Sequence, residues 1–224
     1  GRMEKGRSVY TSDYGARTLD MSPDGETIAV VCDTVGSINR SVNFIDLATG
    51  KVTEKRVIRD SSNLRDIVYT PDGQFGGVTY QSPKNWLPVC EADNGEVFTN
   101  NIAVLETKPG GKVARLPLDD LNNYSGDPYG LAMDPKGRYL YIGIRGMHRV
   151  TILDMNKVLG VVRGNSQEEL DYLRDDLGLA RDYLVARVPT GLGPSSVCLS
   201  PDGKICYAAN YFSNNVSVIR TPVD

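Results

Sequence analysis

The sequence predicts an all-β propeller, and three observations predict it. A turn with proline first and glycine third occurs four times, at 23–25, 71–73, 135–137 and 201–203. Each turn lies between two short runs rich in β-branched and aromatic residues, and a third such run follows. Such self-similarity indicates one structural unit used several times. Proline presets φ in each turn, and glycine supplies a positive φ.

Each unit is interpreted as a blade of four antiparallel strands. The first strand precedes the turn, and the second and third strands follow it. Fourth strands are predicted at 52–57, 112–116 and 183–188, between the third strand of one unit and the turn of the next. The chain is therefore predicted to be a single domain over 1–224, with blades at about 16–58, 64–118, 129–190 and 194–224.

The last unit ends after its third strand, so its fourth strand must come from elsewhere. Residues 7–11 offer a candidate, and counting from the chain end to its start gives the spacing seen between the other units. We therefore predict that 7–11 completes the last blade and closes a four-bladed ring, which would remove the exposed sheet edges. The alternative is a fragment of a seven-bladed propeller. A fragment that begins and ends at the same positions within its repeats would have the same spacing between its end and its start.

The last unit also resembles a known repeat. It reads SPDGK at 200–204, YAAN at 207–210 and VSVI at 216–219, which is similar to the YVTN-type β-propeller repeat. The other units match more loosely, and the resemblance covers about 16–224. It implies a propeller that usually has seven blades, and an extracytoplasmic location, periplasmic or secreted. It implies little about activity, because propellers host many unrelated functions.

Composition excludes several classes of function. The net charge is −3, so no basic surface for nucleic acid is indicated. No apolar run approaches the roughly 20 residues of a membrane span. The sequence contains no C-x-x-C motif, no G-x-S-x-G motif and no phosphate-binding loop before a helix. We predict no cofactor and no metal site, and expect a protein partner or a small-molecule ligand, without nucleic acid or membrane insertion.

Two of the four cysteines flank the last turn. Cys198 and Cys206 lie at similar distances from it and are predicted to face each other across the hairpin. A cross-strand disulfide is one interpretation, since opposed residues lie within reach of a disulfide. The alternative is a pair of buried free thiols that pack as small apolar groups.

Two insertions interrupt the repeats. The first, 81–101, contains Trp86 and lies between the second and third strands of the second unit. The second contains Ser166 and, three residues later, Glu169, which together predict a capping box and one short amphipathic helix ending near Gly178. We predict that this helix packs outside the third blade, on the face opposite the first insertion. The face that carries 81–101 is the candidate binding face, because function concentrates on loops held by a rigid frame.

The candidate ligand site lies where the innermost strands begin. Arg17, Arg65 and Tyr129 occupy equivalent positions, six residues before their turn prolines. Two arginines at a channel mouth would suit a carboxylate or a phosphate. The alternative is that each arginine pairs with a local acid such as Asp66 or Asp20.

Five more residues are predicted to lie on the same face. They are Trp86, Tyr124, Arg145, His148 and Tyr211. Exposed aromatic side chains favour contact with a partner. We therefore predict a non-catalytic binding or scaffold propeller for a protein or a small anionic ligand. The alternative is a propeller enzyme or redox-enzyme subunit, either a lactonase-like hydrolase or the partner of a quinone or haem enzyme.

Overall fold

Four antiparallel sheets follow one another along the chain, which we call blades one to four. The computed structural model describes residues 6, 8–37, 39–84, 87, 97–121 and 123–221. Blade one contains β1 (Ala16–Met21), β2 (Thr27–Cys32), β3 (Arg40–Asp46) and β4 (Lys51–Ile58). Blade two contains β5 (Ile67–Tyr69), β6 (Phe75–Pro83), β7 (Phe98–Glu106) and β8 (Val113–Pro117). Blade three contains β9 (Pro128–Met133), β10 (Tyr139–Ile144), β11 (Arg149–Asp154) and β12 (Leu184–Pro189). Blade four contains β13 (Pro194–Leu199), β14 (Ile205–Asn210) and β15 (Asn215–Arg220).

The blades pack face to face, as in a propeller. The first strands of consecutive blades are neighbours: β1 lies beside β5, β5 beside β9, and β9 beside β13. The apolar side chains of each sheet pack against the next sheet, so the hydrophobic core lies between the blades. The all-β fold with four successive sheets is therefore confirmed.

The repeated turn depends on a polar residue just before the proline. In blade one, the Ser22 hydroxyl accepts the Thr27 backbone N–H at 2.9 Å and donates to Asp24. The same pattern occurs in blades two and four. In blade three, the Asp134 carboxylate instead accepts the backbone N–H of Lys136 and of Tyr139. Blade three therefore keeps the hydrogen bonds from backbone N–H groups to the residue before the proline, while the hydroxyl-to-aspartate bond of the other turns is replaced by further N–H groups that donate to Asp134.

The turns also set how closely the blades approach. A Cβ atom on Gly137 would lie 2.9 Å from Cδ of Pro71, and one on Gly203 would lie 3.0 Å from Cδ of Pro135. Only glycine fits there, since φ is also positive at both positions. In blade one, by contrast, a Cβ on Gly25 would meet nothing within 4 Å. No turn from a preceding blade covers Gly25 within the part of the chain that the structure describes.

The two terminal blades have exposed apolar faces. Leu19 in β1 is 59% exposed, although the equivalent Ile67 of blade two is 5% exposed. Val216 in β15 is 59% exposed, whereas the equivalent Val150 of blade three is fully buried. Positions that the repeat buries between neighbouring blades are therefore open to solvent at both ends of the array.

The predicted ring closure is not confirmed. Residues 8–11 form no strand, and blade four has three strands. The N-terminal segment is held on blade one instead, because the Ser12 backbone N–H donates to Oδ1 of Asn43 at 2.9 Å. Asp13 adds a hydrogen bond from Ser41 and an ion pair with Lys55 at 2.7 Å. These polar contacts to β3 and β4 take the place of the strand pairing that we predicted.

The second insertion contains three helices rather than one. They are α1 (Met155–Gly164), α2 (Gln167–Leu173) and α3 (Ala180–Tyr183). The predicted capping box is confirmed at the start of α2, with both of its hydrogen bonds present. We missed α1, which the Asp154 side chain caps by accepting N–H groups of its first turn. Its two glycines and its valines are poor helix formers, so burial of one apolar face stabilises this helix.

The helices cover blade two rather than the outside of blade three. The Gln167 side chain accepts the backbone N–H of Val113 and donates to its carbonyl, so it protects the edge of β8. Asp171 in α2 pairs with Arg115 of β8 at 2.7 Å. The segment after α2 then reaches the face of the first insertion, where Asp175 pairs with Lys84 at 3.1 Å. The prediction that this insertion stays on the opposite face was therefore wrong.

Of the two interpretations of Cys198 and Cys206, free thiols are correct and the disulfide is wrong, although only Cys206 is buried. Cys198 is opposite Tyr207, and Leu199 is opposite Cys206, so the two cysteines differ by one residue in register. Neighbouring residues of a strand point to opposite faces of the sheet. Cys198 is consequently exposed and Cys206 is buried, and both are free thiols.

None of the described helices is long and apolar enough to cross a membrane.

Candidate functional site

Two arginines and a tyrosine form the centre of the candidate site. The Arg65 guanidinium lies 5.0 Å from the centroid of the Tyr129 ring, and the Arg145 guanidinium lies 4.8 Å from it. Asp127 joins the two arginines, with Oδ2 at 2.8 Å from Nε of Arg145 and Oδ1 at 3.5 Å from Nη2 of Arg65. We call Arg65, Asp127, Tyr129 and Arg145 the arginine cluster.

Local backbone geometry places these side chains. Asp127 has a positive φ of 53°, and its carbonyl accepts the Arg145 backbone N–H at 3.0 Å. The next residue, Gly146, donates to the Gly126 carbonyl at 2.8 Å, and a Cβ on Gly146 would lie 2.9 Å from that same oxygen. The loop after β10 therefore lies directly on the loop before β9, which brings Arg145 over the Tyr129 ring.

The arginine cluster carries a net positive charge. It holds two guanidinium groups and one carboxylate, and it joins blade two to blade three. The Arg65 side chain is 14% exposed and that of Arg145 is 31% exposed. Nε of Arg65 is buried without a hydrogen-bond partner among the described residues. A half-exposed guanidinium beside a shared carboxylate can accept a further anion, such as the carboxylate of a partner.

Aromatic side chains extend this surface towards blade four. Arg145 also lies 5.9 Å from the centroid of the Phe212 ring, and Phe212 packs edge-on against Tyr211 at 5.3 Å. Tyr211 is 68% exposed and Phe212 is 55% exposed. The two rings line a cavity of about 610 Å³ together with Asn210 and Asn215. Exposed aromatic rings beside arginine are typical of the anchors of protein interfaces.

Arg17 does not join the arginine cluster. It pairs with Asp33 at 3.3 Å, and Asp33 also binds Arg40 at 2.9 Å. The alternative considered from the sequence, in which each arginine pairs with an acid, is therefore correct for Arg17 and Arg65. The acids are not the two that we named. Asp20 and Asp66 instead join adjacent blades by accepting the backbone N–H groups of Tyr69 and Leu131, both at 2.9 Å.

The other predicted site residues have structural contacts. His148 has a positive φ of 53°, and its Nδ1 accepts the Gly193 backbone N–H at 3.0 Å. The Tyr124 carbonyl accepts a hydrogen bond from Arg149 at 2.6 Å. Trp86 lies outside the described residues. Within the described ranges, no group of three or more potential metal ligands occurs.

Sequence reasoning missed two acidic residues on this face. Asp127 lies between Gly126 and Pro128, directly before β9. This position could have been noticed in the sequence, because an acid in a turn just before a strand lies beside the first side chains of that strand. The other is Asp119, which is fully buried and accepts N–H groups from Asn100 at 2.7 Å and Ser125 at 2.6 Å. Burial raises the pKa of the Asp119 carboxyl to about 6.

Comparison with known proteins adds a close relative. The chain is 78% identical to hydrazine synthase subunit beta of Kuenenia stuttgartiensis. The match covers the whole chain and 58% of that relative, so the chain spans less than two thirds of the relative's length. A solved structure of hydrazine synthase from the same organism matches with a TM-score of 0.97, covering 99% of this chain and 63% of that one. No family model matches the sequence.

A more distant structure supports the fold alone. The β-propeller domain of Cps50 (Swd1) from Myceliophteria thermophila is 12% identical, with a TM-score of 0.58. The match covers 92% of this chain and 54% of that domain. Identity at this level carries the propeller architecture and no information about ligands.

Proposed function

We propose that this chain forms part of a propeller subunit in a multi-subunit enzyme of the hydrazine synthase type. The observation that carries the proposal is the 78% identity over all 224 residues. It favours the alternative that we considered from the sequence, a redox-enzyme subunit, over an independent scaffold. The exposed charged and aromatic groups of the candidate site suit contact with other subunits.

The partner surface in this proposal is the arginine cluster with Tyr211 and Phe212. These groups combine a net positive charge with exposed rings on loops that rigid strands hold in place. A partner carboxylate that reaches Arg145 would be paired in an environment already shielded by the Tyr129 ring, where charged hydrogen bonds are stronger than in water. The surface therefore fits an acidic or aromatic segment of a neighbouring subunit.

Replacing both Arg65 and Arg145 by alanine is expected to weaken subunit association by at least about 30-fold, because truncating a charged partner at an interface costs about 2 kcal/mol or more. The measurement is the dissociation constant of the full-length variant for its partner subunits, by surface plasmon resonance. Lys136→Ala is the control, since it removes one positive charge from an exposed turn at the opposite end of the blades. Wild-type affinity in a folded double variant would contradict the proposed partner surface.

We also propose that further blades cover the exposed faces of blades one and four in the complete protein. This is the seven-bladed alternative that the sequence left open. It is supported by the exposure of Leu19 and Val216, whose equivalents inside the array are buried, and by the open space at Gly25. Burying such apolar side chains contributes about 1.5–3 kcal/mol each, so a neighbouring blade would stabilise both faces.

The reactivity of the Cys198 thiol tests whether a further blade covers blade four. It lies on the exposed face of blade four, whereas the equivalent Ala132 of blade three is buried against blade four. In the native full-length protein we expect alkylation of Cys198 to be at least about tenfold slower than after unfolding in guanidinium, because a covered thiol is inaccessible to the reagent. Peptide mass mapping identifies the modified residue, and Cys206, which is buried between blades three and four, provides the protected reference. Rapid native alkylation of Cys198 would show that no blade covers this face.

The YVTN resemblance and the extracytoplasmic location stay predictions. Fractionation of cells that produce the full-length protein, followed by detection in the periplasmic or secreted fraction, tests the location.

A further inference from the structure

A cavity of about 480 Å³ lies between blades one and two, beside their turns. Blade one contributes Ser22, Asp24 and Phe44 to its wall, and blade two contributes Tyr69 and Phe75. The volume lies in the range of small-ligand sites. Because the turns and the strand starts of the arginine cluster are at opposite ends of the blades, this cavity is separate from the candidate functional site.

The lining combines negative charge with aromatic rings. Asp24, Asp72 and Glu106 are carboxylates, and Lys108 is the one cationic residue among the lining side chains. Lys108 is itself paired with Glu106 at 3.2 Å and is largely exposed. Among the described lining residues, Asp24 and Asp72 therefore have no opposing side-chain cation, and each accepts hydrogen bonds from its own turn.

Tyr69 supplies an unused polar group to the same wall. The residue is 6% exposed, and its hydroxyl is buried without a hydrogen-bond partner in the described part of the chain. Leaving a buried hydroxyl unpaired destabilises the protein, so a ligand that pairs with it gains affinity. Burial and the nearby carboxylates of Asp20 and Asp24 raise the pKa of the Tyr69 hydroxyl. The local field thus favours a positively charged ligand.

The next interface between blades shows how this space is filled elsewhere. Between blades two and three, Met155 and Leu159 of α1 pack in one buried cluster with Phe75 and Val104. Val104 occupies the position in blade two that Phe44 occupies in blade one. Arg163 at the end of α1 places its guanidinium 5.1 Å from the centroid of the Phe75 ring. At that interface, on the blade-three side of β6, an aromatic ring therefore binds a cation next to an apolar cluster. Between blades one and two, no described segment fills the space.

We propose that the cavity binds a protonated primary alkylamine. In this arrangement the ammonium group donates hydrogen bonds to Asp24, Asp72 and the Tyr69 hydroxyl, and the alkyl chain packs against the Phe44 ring. The lining matches this ligand in three respects, since it offers carboxylates, an unpaired acceptor and apolar walls. The same chemistry is offered by a free amine and by a lysine side chain of a neighbouring subunit.

Saturation-transfer NMR on the full-length chain with n-butylammonium as the probe tests the proposal. We expect binding of n-butylammonium and no binding of butyrate, because the carboxylates repel an anion. The neutral isostere n-butanol should bind at least about tenfold more weakly, as it lacks the charge-assisted hydrogen bonds. If the amine signal persists in the assembled complex, the source is a free amine, and if assembly abolishes it, the source is a lysine of the partner.

Tyr69→Phe is the decisive variant. It removes one unpaired hydroxyl, so the melting temperature should be unchanged or higher, whereas affinity for n-butylammonium should fall by about tenfold. Tyr141→Phe is the matched control, because that hydroxyl is also buried but has Thr221 as its partner, and it lies at another interface. Asp72→Asn should weaken binding further while its amide oxygen still accepts the turn hydrogen bonds. Equal binding of amine and butyrate, or unchanged affinity in Tyr69→Phe, would overturn the proposal.

Discussion

Replacing Gly130 by alanine is expected to lower the free energy of unfolding by about 2–3 kcal/mol. A Cβ at this position of β9 would lie 2.9 Å from Cα of Ser196, 3.0 Å from the Ser195 carbonyl oxygen and 3.2 Å from the Val197 nitrogen. All three atoms belong to the backbone of β13, which cannot move aside as a side chain can. The extra methyl group would therefore force blade four away from blade three.

Gly160→Ala is the control, and we expect it to raise the free energy of unfolding. Gly160 lies inside α1, and a Cβ there would meet nothing within 4 Å. Alanine should therefore stabilise the protein by about 0.5–1 kcal/mol through helix propensity alone. Urea unfolding of the full-length protein, followed by circular dichroism, measures both variants. Equal stabilities for Gly130→Ala and the wild type would show that blades three and four do not pack as closely as the structure shows.

Replacing Asp119 by alanine is expected to destabilise the protein by about 2–3 kcal/mol at pH 5. The carboxyl group is fully buried, and its oxygens accept the backbone N–H groups of Asn100 and Ser125. Alanine would leave both donors buried without an acceptor. Because Asp119 joins β7 to the connector that precedes β9, we also expect local disorder next to the arginine cluster.

The pH dependence of this effect has a defined sign. The folded pKa of Asp119, about 6, lies above the value of 3.8 for a free carboxyl. A raised folded pKa means that the stability contribution is fully present below about pH 4 and is lost as the pH rises through about 6. The difference between the wild type and Asp119→Ala should therefore be larger at pH 5 than at pH 8, in urea unfolding at the two pH values.

Asp120→Ala is the control for this series. Asp120 pairs with Arg181 at 2.6 Å, and the Arg181 side chain is 59% exposed. Asp120 also lies 3.9 Å from Nη1 of Arg187. The pair with the exposed Arg181 contributes about 0–1 kcal/mol, and opposite charges 3.9 Å apart form no hydrogen bond. An Asp119→Ala variant no less stable than Asp120→Ala at pH 5 would contradict the role assigned to the buried carboxylate.

The prediction for Asp119 concerns the support of the arginine cluster. Arg65 belongs to blade two, whereas Tyr129 and Arg145 belong to blade three, so the cluster exists only while the two blades keep their relative position. Asp127 fixes that position with one carboxylate for two guanidinium groups. A site built in this way is preorganised for an incoming anion, because the cost of ordering its side chains is met during folding.

The sequence by itself determined the local structure of this protein. Each turn is specified within six residues, by a proline, a glycine and the Ser, Thr or Asp residue before the proline. The strands are predicted from the β-branched and aromatic residues on either side of each turn. The capping box of α2 is equally local, since it depends on Ser166 and Glu169 alone. Such features are predictable because a short segment contains all the atoms that stabilise them.

Only the tertiary structure decided which distant residues meet. A shift of one residue in register put Cys198 and Cys206 on opposite faces, and an acid sixteen residues away took Arg17 out of the predicted site. The N-terminal segment bound Asn43 instead of β15, and Asp127 joined two arginines from different blades. These outcomes depend on the packing of one blade on the next, where a displacement of a few ångströms changes the partner of a side chain, and no local pattern in the sequence records that displacement.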